Sequence, residues 1–492
     1  MSNQQAISAA SFVNSLGINT HIDFGQYGYQ NLATTEAAIN YLGVKNIRDS
    51  AAVATDAQTW LQVAQATGAK FDDFIGEGSP ATMQSDYGFI AQLASEGILN
   101  SIEGGNEEDN SYAVNVGNNM YIAAQFQQQV CALGQQLGLP VINMSFGSGW
   151  TAANNWQGDY GAVGDLSAYA NYANAHTYPG PGATPDSTIQ TLNNDAHLAA
   201  ASRPVITTEM GWDGNTFSQG AIAQYVVQAA LDGMKDGDVK LYYYALFNDG
   251  SGNYGLMNSD GTPTPAGTAL HDLTTLLADS GAGFTPGSLN YTLGGTQSGD
   301  NTLLMQKSNG SDWLALWNES AGTHTVTLSL ANTASQIMVF DPVTGTSSIA
   351  SANNSSSISV SLGNDPLLIE VVPAGGSVST TTTTTSSSSS SSSSSTGTAT
   401  STSTSGSGNS SSPATTGTSA GSSASPNPVL TVPAAESVAP GSSVAVSGVA
   451  VSPRRVRLGC RARVRTRRWA GPHLTRQQVR PRLRPFRRTL DR

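Results

Sequence analysis

The sequence predicts an α/β fold in which a (β/α)8 TIM barrel is followed by a small antiparallel β-sandwich and a disordered Ser/Thr-rich C-terminal region. Three observations lead to it. Eight apolar, strand-like runs alternate with helical patterns up to about residue 275. Short strand-like runs separated by Asn, Gly and Ser follow, from residue 281 to residue 373. Beyond them lies a tract composed almost entirely of Ser, Thr, Gly and Ala.

The predicted barrel comprises residues 1–280. Its strand-like runs are "INTHID", "VKNIRD", "KFDDFIG", "LNSIEGG", "PVINMSFG", "YANAHTY", "RPVITTE" and "KLYYYALF". The segments between them carry apolar residues at helical spacing and often end at glycine. Eight such units in about 250 residues are typical of a (β/α)8 barrel. The main rival, an open doubly wound sheet, would favour a GxGxxG motif after the first run, and the sequence has none there.

The remaining segments differ sharply in composition. Residues 281–373 predict the β-sandwich, and residues 374–427 predict a Ser/Thr-rich linker that cannot bury a core. Residues 428–452 resemble the opening strands of a truncated β module. Residues 453–492 predict an arginine-rich disordered tail with fifteen arginines. Two interpretations of the tail stay open: a basic arm, or a change of reading frame, which the interrupted β pattern favours.

Charge and cysteine content narrow the class of function. Residues 1–452 hold seven basic and 33 acidic residues, so the body repels nucleic acid and anionic membranes. We therefore expect a neutral ligand, no nucleic-acid function and a monomer. Two cysteines provide no disulfide framework, and no run approaches the roughly 20 apolar residues of a membrane span.

Composition also predicts the location of the protein. The scarcity of Lys and Arg, the Ser/Thr tract and the β modules predict an extracellular protein. The start, "MSNQQAISAASFVNSLG", has no basic region and no apolar core, and so shows no visible N-terminal signal peptide. We expect either export without a leader or a leader that has been lost.

Chemistry-bearing side chains lie where the predicted barrel strands end, which is where barrel enzymes place their active sites. They are Arg48 after strand two, Asn106 and Glu107 after strand four, His176 and Tyr178 after strand six, and Glu209 after strand seven. Two carboxyl groups facing each other across a pocket can divide acid and nucleophile work on a glycosidic bond. Arg48 and Tyr178 would stabilise the ionised carboxylate, and Asn106 would bind a sugar hydroxyl.

Four motifs in this order resemble those of glycoside hydrolase clan A. "IEGGNE" resembles its strand-four motif, "VITTEMGW" its strand-seven motif, and "IRDS" and "HTYPG" its strand-two arginine and its strand-six His-x-Tyr. The resemblance covers about residues 10–275. It implies retaining hydrolysis of β-linked sugars or the related transglycosylation, with Glu107 as acid/base and Glu209 as nucleophile. It also places Arg48, Asn106 and the strand-six pair in the sugar site.

The sequence departs from the clan at two points. Glu108 follows Glu107 where proline is frequent, and it either perturbs the acid or points to solvent. Strand eight lacks the usual tryptophan platform, so Phe247 or Trp212 is expected to replace it. His21, at the end of strand one, is either a sugar contact or a core histidine. Glu103 is expected to play a structural role beside Arg48.

These observations predict a retaining glycoside hydrolase that cleaves β-linked neutral poly- or oligosaccharides of the β-glucan, xylan or mannan type by double displacement. No cofactor is expected, and no His or Cys cluster predicts a metal site. The alternative is a non-catalytic carbohydrate-binding or surface-display protein on a TIM-barrel scaffold, which the linker and the truncated β module favour.

Overall fold

Inner strands such as Val205–Met210 and Leu16–Asn19 bury every residue, polar ones included. A computed structural model describes residues 2–50, 54–75, 80–109, 120–147, 160–281, 283–320 and 322–375. Its strands are β1 (Ser2–Gln5), β2 (Ile7–Ser8), β3 (Leu16–Asn19), β4 (Asn46–Asp49), β5 (Lys70–Phe74), β6 (Leu99–Glu103), β7 (Val141–Ile142), β8 (Ala173–Thr177), β9 (Val205–Met210), β10 (Lys240–Tyr243), β11 (Ser288–Gly294), β12 (Asp300–Gln306), β13 (Asp312–Asn318), β14 (His324–Phe340), β15 (Ser348–Leu362) and β16 (Leu367–Pro373).

The predicted barrel is confirmed. Strands β3 to β10 pair in parallel, each with its neighbour in the chain, and β10 returns to pair with β3. A parallel bridge between Ile142 and Tyr172 joins β7 to the start of β8. Because all eight strands run the same way, their carboxyl ends lie at one end of the barrel, where the predicted site residues collect.

Helices follow the barrel strands, and local signals set their ends. They are α1 (Ala9–Val13), α2 (Leu32–Leu42), α3 (Ala54–Thr67), α4 (Pro80–Ser95), α5 (Met120–Leu137), α6 (Tyr160–Val163), α7 (Pro185–Ala199), α8 (Gln219–Asp236) and α9 (Pro265–Leu277). The Thr184 hydroxyl caps α7 by accepting from the Ser187 amide, and Pro185 occupies the first turn. Helix α8 begins with a Ser218 cap and ends at Gly237, whose φ of 94° suits glycine.

The predicted second β domain is confirmed, with two differences from the antiparallel sandwich that the sequence predicts. The first is that its strands form one mixed sheet in the order β1-β11-β14-β16-β13-β12-β2, with β15 pairing along β14. The second is the origin of two of its strands. Two strands come from the N-terminus: Ser2 pairs with Tyr291, and Ile7 pairs in parallel with Met305. The sheet encloses a core of its own that includes Leu316 and Ile369.

The sheet packs on the barrel through α8. The Trp317 indole of β13 is fully buried and donates to the Asp232 carboxylate of α8 at 2.9 Å. The Gln228 side chain, also on α8, donates to the Asn364 carbonyl at 2.9 Å. These contacts tie the sheet to the helix that precedes the last barrel strand.

The described residues end at residue 375, near the start of the predicted linker (374–427). The rest of that linker lies outside them, as do the truncated module (428–452) and the arginine-rich tail (453–492). Among the helices that the structure describes, none has the length and apolarity needed to cross a bilayer.

Candidate active site

The carboxyl ends of four barrel strands bring five of the predicted site residues together. Arg48 lies on β4 and Glu209 on β9, while Glu107 follows β6. His176 lies on β8 directly beside Glu209 in the strand register, and Tyr178 comes just after that strand. The structure thus unites residues that are up to 161 positions apart in the chain.

Arg48 is the centre of this group. It is 1% exposed, and its Nε and Nη2 donate to the two Glu103 carboxylate oxygens at 2.7 and 2.8 Å. Its Nη1 donates to Glu209 Oε1 at 2.6 Å. Burial alone would lower the pKa of Arg48, but Glu103 and Glu209 outweigh it and raise that pKa. Arg48 therefore stays charged and stabilises the negative charge on Glu209.

The other Glu209 oxygen has one hydrogen-bond donor and a histidine nearby. The Tyr178 hydroxyl donates to Glu209 Oε2 at 2.5 Å, and His176 Nδ1 lies 3.5 Å from the same oxygen. Burial, and then the Glu209 charge, raise the pKa of Tyr178 well above its ordinary value, so its hydroxyl keeps its proton. Glu209 is thereby held as a fixed, hydrogen-bonded carboxylate at the end of β9.

Glu107 occupies a turn four residues beyond the end of β6, with a φ of 47°. The Ser145 hydroxyl accepts from its backbone amide at 2.9 Å. Its Oε1 lies 3.0 Å from His176 Nδ1, and its side chain is 22% exposed. A β-carbon at Gly147 would fall 2.3 Å from the Glu107 carboxyl carbon, so only glycine leaves room for this carboxylate.

The acidic run that continues after Glu107 has structural partners. Glu108 is 1% exposed, and its carboxylate packs so tightly on Gly105 that a β-carbon there would collide with it. The Asp109 carboxylate accepts from the Gly147 amide at 2.7 Å. Of the two expectations for Glu108, a solvent-facing side chain is therefore excluded. These carboxylates shape the turn that presents Glu107.

His176 connects the two candidate catalytic carboxylates. Burial lowers the pKa of His176, but the Glu209 charge and the hydrogen bond that His176 makes to Glu107 outweigh it and raise that pKa. Within the described residues, its Nε2 is buried without a hydrogen-bond partner. We infer that Nδ1 carries the proton and bridges Glu107 and Glu209.

A buried polar layer supports the site from below. The Asn174 amide donates to Glu103 Oε1 at 2.9 Å, and its carbonyl oxygen accepts from the Thr208 hydroxyl at 2.6 Å. Asn19 Oδ1 accepts from Arg48 Nη1 at 3.0 Å. This network gives Glu103 the structural role that was expected of it. Asn19 and Asn174 were not predicted; their position on the same strand faces as the site residues was the signal that would have indicated them.

Asn106 also contacts the central arginine. Its Oδ1 accepts from Arg48 Nη2 at 2.7 Å, with the Ser145 hydroxyl 3.4 Å away. This bond orients the side chain so that its amide nitrogen is the group left to donate. The predicted sugar contact by Asn106 stays a prediction.

Three tyrosines line the side of the site nearest β10. The rings of Tyr178, Tyr244 and Tyr254 lie 5.6 to 6.3 Å apart in edge-to-face contacts. Tyr244 and Tyr254 were not predicted, although Tyr244 belongs to the quoted run "YYYALF". Three consecutive tyrosines give no sign of which one faces the site.

The two expected tryptophan replacements lie in the core. Phe247 is fully buried beneath Gly28, with its ring 5.0 Å from that of Tyr29. Trp212 is 3% exposed and packs on Tyr225 of α8. Neither ring has a face open at the barrel end, and their predicted role as sugar platforms receives no support from these positions.

His21 has polar partners for its ring nitrogen. Nε2 lies 3.2 Å from both the Tyr244 hydroxyl and the Asp249 carboxylate, and the Tyr244 hydroxyl donates to the same carboxylate. Burial lowers the pKa of His21, but Asp249 and Asp49 outweigh it and raise that pKa. Asp249, missed by the sequence reasoning, fixes both His21 and Tyr244.

A pocket of about 330 Å³ opens beside the carboxylates and is lined by Gly147, His176, Tyr178, Gly180, Ala183, Thr188 and Leu192. Ligand atoms of Glu107, His176 and Glu209 lie within 4.8 Å of one another, which is close enough to hold a cation. The Arg48 guanidinium already contacts Glu209, however, and its charge opposes a second cation there. The arrangement suits acid–base and nucleophilic chemistry better than metal binding.

Comparisons with known proteins address the fold. A family 39 glycoside hydrolase from Bacteroides cellulosilyticus WH2 matches with a TM-score of 0.52 at 15% identity, over 73% of this chain and 82% of that one. A GH39 enzyme from Xanthomonas axonopodis pv. citri matches with a TM-score of 0.52 at 11% identity, over 75% and 96% of the two chains. CelM2, a bifunctional glucanase-xylanase from a metagenome library, matches with a TM-score of 0.50 at 11% identity, over 75% and 97%.

No protein-family model matches the sequence, and no curated protein matches it. The likeness to these solved structures is therefore one of architecture. It confirms that the chain shares the barrel fold of these solved structures, as the alternation of strands and helices predicted, while the chemistry rests on the site itself.

Proposed function

We propose that this protein is a retaining glycoside hydrolase that cleaves β-linked neutral poly- or oligosaccharides by double displacement. The observation that carries the proposal is that carboxylate oxygens of Glu107 and Glu209 lie within 4.8 Å of each other. Retaining glycosidases hold their two carboxyl groups about 5–5.5 Å apart, whereas inverting ones need about 6.5–9.5 Å to admit a water. The close approach of these oxygens therefore supports the retaining class.

In the first step, a Glu209 oxygen attacks the anomeric carbon as the glycosidic C–O bond breaks. Protonated Glu107 gives its proton to the leaving oxygen, so the aglycone departs as a neutral alcohol. Glu209 suits the nucleophile because Arg48 and Tyr178 hold it as an oriented anion. Glu107 suits the acid because its turn leaves its side chain 22% exposed, where a leaving group can reach it.

In the second step, Glu107 has become a carboxylate and takes a proton from an incoming water. The water oxygen bonds to the anomeric carbon and the ester bond to Glu209 breaks, which restores both residues. Two inversions leave the configuration of the sugar unchanged. His176, in contact with both carboxylates, is placed to stabilise their charges as they alternate.

The test compares the wild type with Glu209→Ala on β-glucans, xylan and mannan, and follows the anomer released by NMR. We expect the wild type to release the β-anomer first and Glu209→Ala to be inactive. Glu96→Ala, an exposed residue outside the site, is the control and should retain full activity. Release of the α-anomer first by the wild type would refute a retaining mechanism.

The alternative, a non-catalytic carbohydrate-binding protein on this scaffold, makes a different prediction. It requires polysaccharide binding without product in the wild type, in Glu107→Ala and in Glu209→Ala alike. The presence of Arg48 and Tyr178 on Glu209 favours the hydrolase, because binding alone does not require an oriented carboxylate.

An extracellular location and a monomeric state are further parts of the proposal, supported by composition and by the acidic body of the chain. Detection of the protein in the medium of its own host tests the first. Light scattering tests the second, with a dimer mass as the contrary result.

A further inference from the structure

The mouth of the barrel carries an exposed aromatic ring that the chemistry above does not use. Phe24 ends a short 3-10 turn, Ile22–Phe24, just beyond β3, and it is 43% exposed. The turn closes at Gly25 in a left-handed conformation, with a φ of 60°, which fixes where the ring stands.

One face of the Phe24 ring is covered by His21. The two rings are 4.5 Å apart and nearly parallel, at 13°. His21 is itself held by the Asp249 carboxylate and the Tyr244 hydroxyl. Phe24 is therefore an oriented ring with one face stacked on His21, and it stays 43% exposed.

A series of side-chain contacts links the Phe24 ring to the candidate catalytic centre. His21 contacts Tyr244, the Tyr244 ring packs against Tyr178, and the Tyr178 hydroxyl donates to Glu209. A chain of contacts thus runs from the open ring to the proposed nucleophile.

The size and charge of the surroundings indicate the ligand. A single half-exposed ring offers far less area than the roughly 800 Å² that a stable protein partner would cover on each side. It matches the apolar C–H face of one pyranose, which is broadest when the ring substituents are equatorial. Asp23 lies on the turn and Asp249 contacts His21, so the carboxylates beside the ring disfavour a sugar that carries a carboxylate of its own.

We propose that Phe24, positioned by His21, is a stacking platform for a second, distal sugar of a neutral β-linked chain with gluco or xylo configuration. This inference rests on the proposed function for the position of the bond that is cleaved. It adds a second sugar site away from the carboxylates, and it narrows the sugar at that site to gluco or xylo configuration.

The kinetic test compares the wild type, Phe24→Ala and Phe24→Tyr on an aryl monoglycoside and on neutral gluco- and xylo-oligosaccharides of two to six units. For Phe24→Ala, kcat/KM on a tetrasaccharide should fall roughly tenfold more than on the monoglycoside, because only the longer substrate reaches the ring. Phe24→Tyr should restore most of the difference. Leu198→Ala, which alters an exposed apolar residue on α7, is the control and should change neither value. An equal loss on both substrates would overturn the platform.

A binding test separates this inference from the proposed chemistry. Calorimetry of the tetrasaccharide with Glu209→Ala, alone and combined with Phe24→Ala, needs no turnover. We expect the double variant to bind roughly tenfold more weakly. Equal affinities, or no binding by Glu209→Ala, would refute the platform. If the wild type cleaves none of the glycans but the affinity difference is present, the hydrolase proposal fails and the platform stands.

Discussion

Inside the barrel, Arg48 donates a hydrogen bond of 2.6 Å to Glu209, and two of its other nitrogens donate to the two carboxylate oxygens of Glu103. One buried guanidinium therefore pairs with a structural carboxylate and with a catalytic candidate at the same time. A planar, five-donor group is required for this, because the acceptors lie on different sides of it.

Arg48→Lys should damage both activity and stability. A lysine ammonium cannot reach Glu103 twice and also Glu209, so part of a buried carboxylate loses its partner. We expect about 3–5 kcal/mol less stability, the usual cost of breaking a buried ion pair, and about 100-fold lower kcat. Chemical denaturation and steady-state kinetics measure the two effects. The control is Lys45→Arg, the opposite exchange just before β4, which should leave activity and stability unchanged. Activity and stability close to the wild type in Arg48→Lys would contradict the need for a guanidinium at this position.

Tyr178→Phe tests the second donor to Glu209 without emptying the site. The ring and its contacts with Tyr244 stay, and only the hydroxyl that donates at 2.5 Å is lost. A hydrogen bond to a charged group contributes about 1.5–3 kcal/mol, so kcat should fall roughly 10- to 150-fold with a melting temperature close to the wild type. Tyr41→Phe, whose ring stacks on His271 between α2 and α9, should leave kcat unchanged. An unaffected kcat in Tyr178→Phe would show that the hydroxyl does not assist the nucleophile.

Gly147→Ala should act on the acid/base alone. A β-carbon at this position falls 2.3 Å from the Glu107 carboxyl carbon, so that carboxylate must move. Loss of general acid catalysis costs about 100-fold or more on an oligosaccharide, whose leaving group needs a proton. A dinitrophenyl glycoside, whose leaving group needs none, should show a much smaller fall in kcat/KM.

Gly220→Ala provides the matched control for that substitution. Gly220 lies in α8 with no atom within 4 Å of the added β-carbon, so activity on both substrates should persist. Equal losses on the two substrates by Gly147→Ala would indicate general distortion of the site and would contradict a specific effect on Glu107.

The barrel and the proximity of Glu107 to Glu209 could be predicted from the sequence, because the ends of the strands in a parallel barrel converge whatever lies between them.

The positions of the aromatic side chains could not be predicted from the sequence. Trp212 and Phe247 have the right chemistry and follow the right strands, but their side chains turn to the core. Which way a side chain turns after a strand ends depends on loop geometry, which has no simple periodicity.

The N-terminal strands were missed for a different reason. Residues Ser2–Gln5 pair with β11 across almost 290 positions of chain, with Ser2 opposite Tyr291. Nothing local in "SNQQ" predicts a strand, since it lacks β-branched and aromatic residues. Its conformation is imposed by the edge of a sheet that forms far along the sequence.

The last prediction concerns the effect of pH on folding stability. Burial raises the pKa of Asp238 to about 7, while hydrogen bonds from Thr207 and Asn193 lower it only in part. Between an ordinary Asp pKa near 3.8 and about 7, the folded chain keeps a proton that the unfolded chain has lost. The free energy of unfolding must then fall as pH rises through this window. Burial raises the pKa of Asp49 to about 7 and that of Asp72 to about 6, in the same direction.

The histidines reinforce this trend. The pKa values of His21 and His176 are raised above 6.5, so the stability gained from their protonation is present at low pH and lost as pH rises through those values. We expect the melting temperature to be several degrees higher at pH 5 than at pH 8. Asp238→Asn cannot ionise and should reduce that difference, whereas Asp260→Asn, an exposed residue whose pKa is lowered by Thr262, should leave it intact. Calorimetry of the three proteins at both pH values decides the matter, and a wild type more stable at pH 8 would show that these buried carboxyls are ionised in the folded chain throughout.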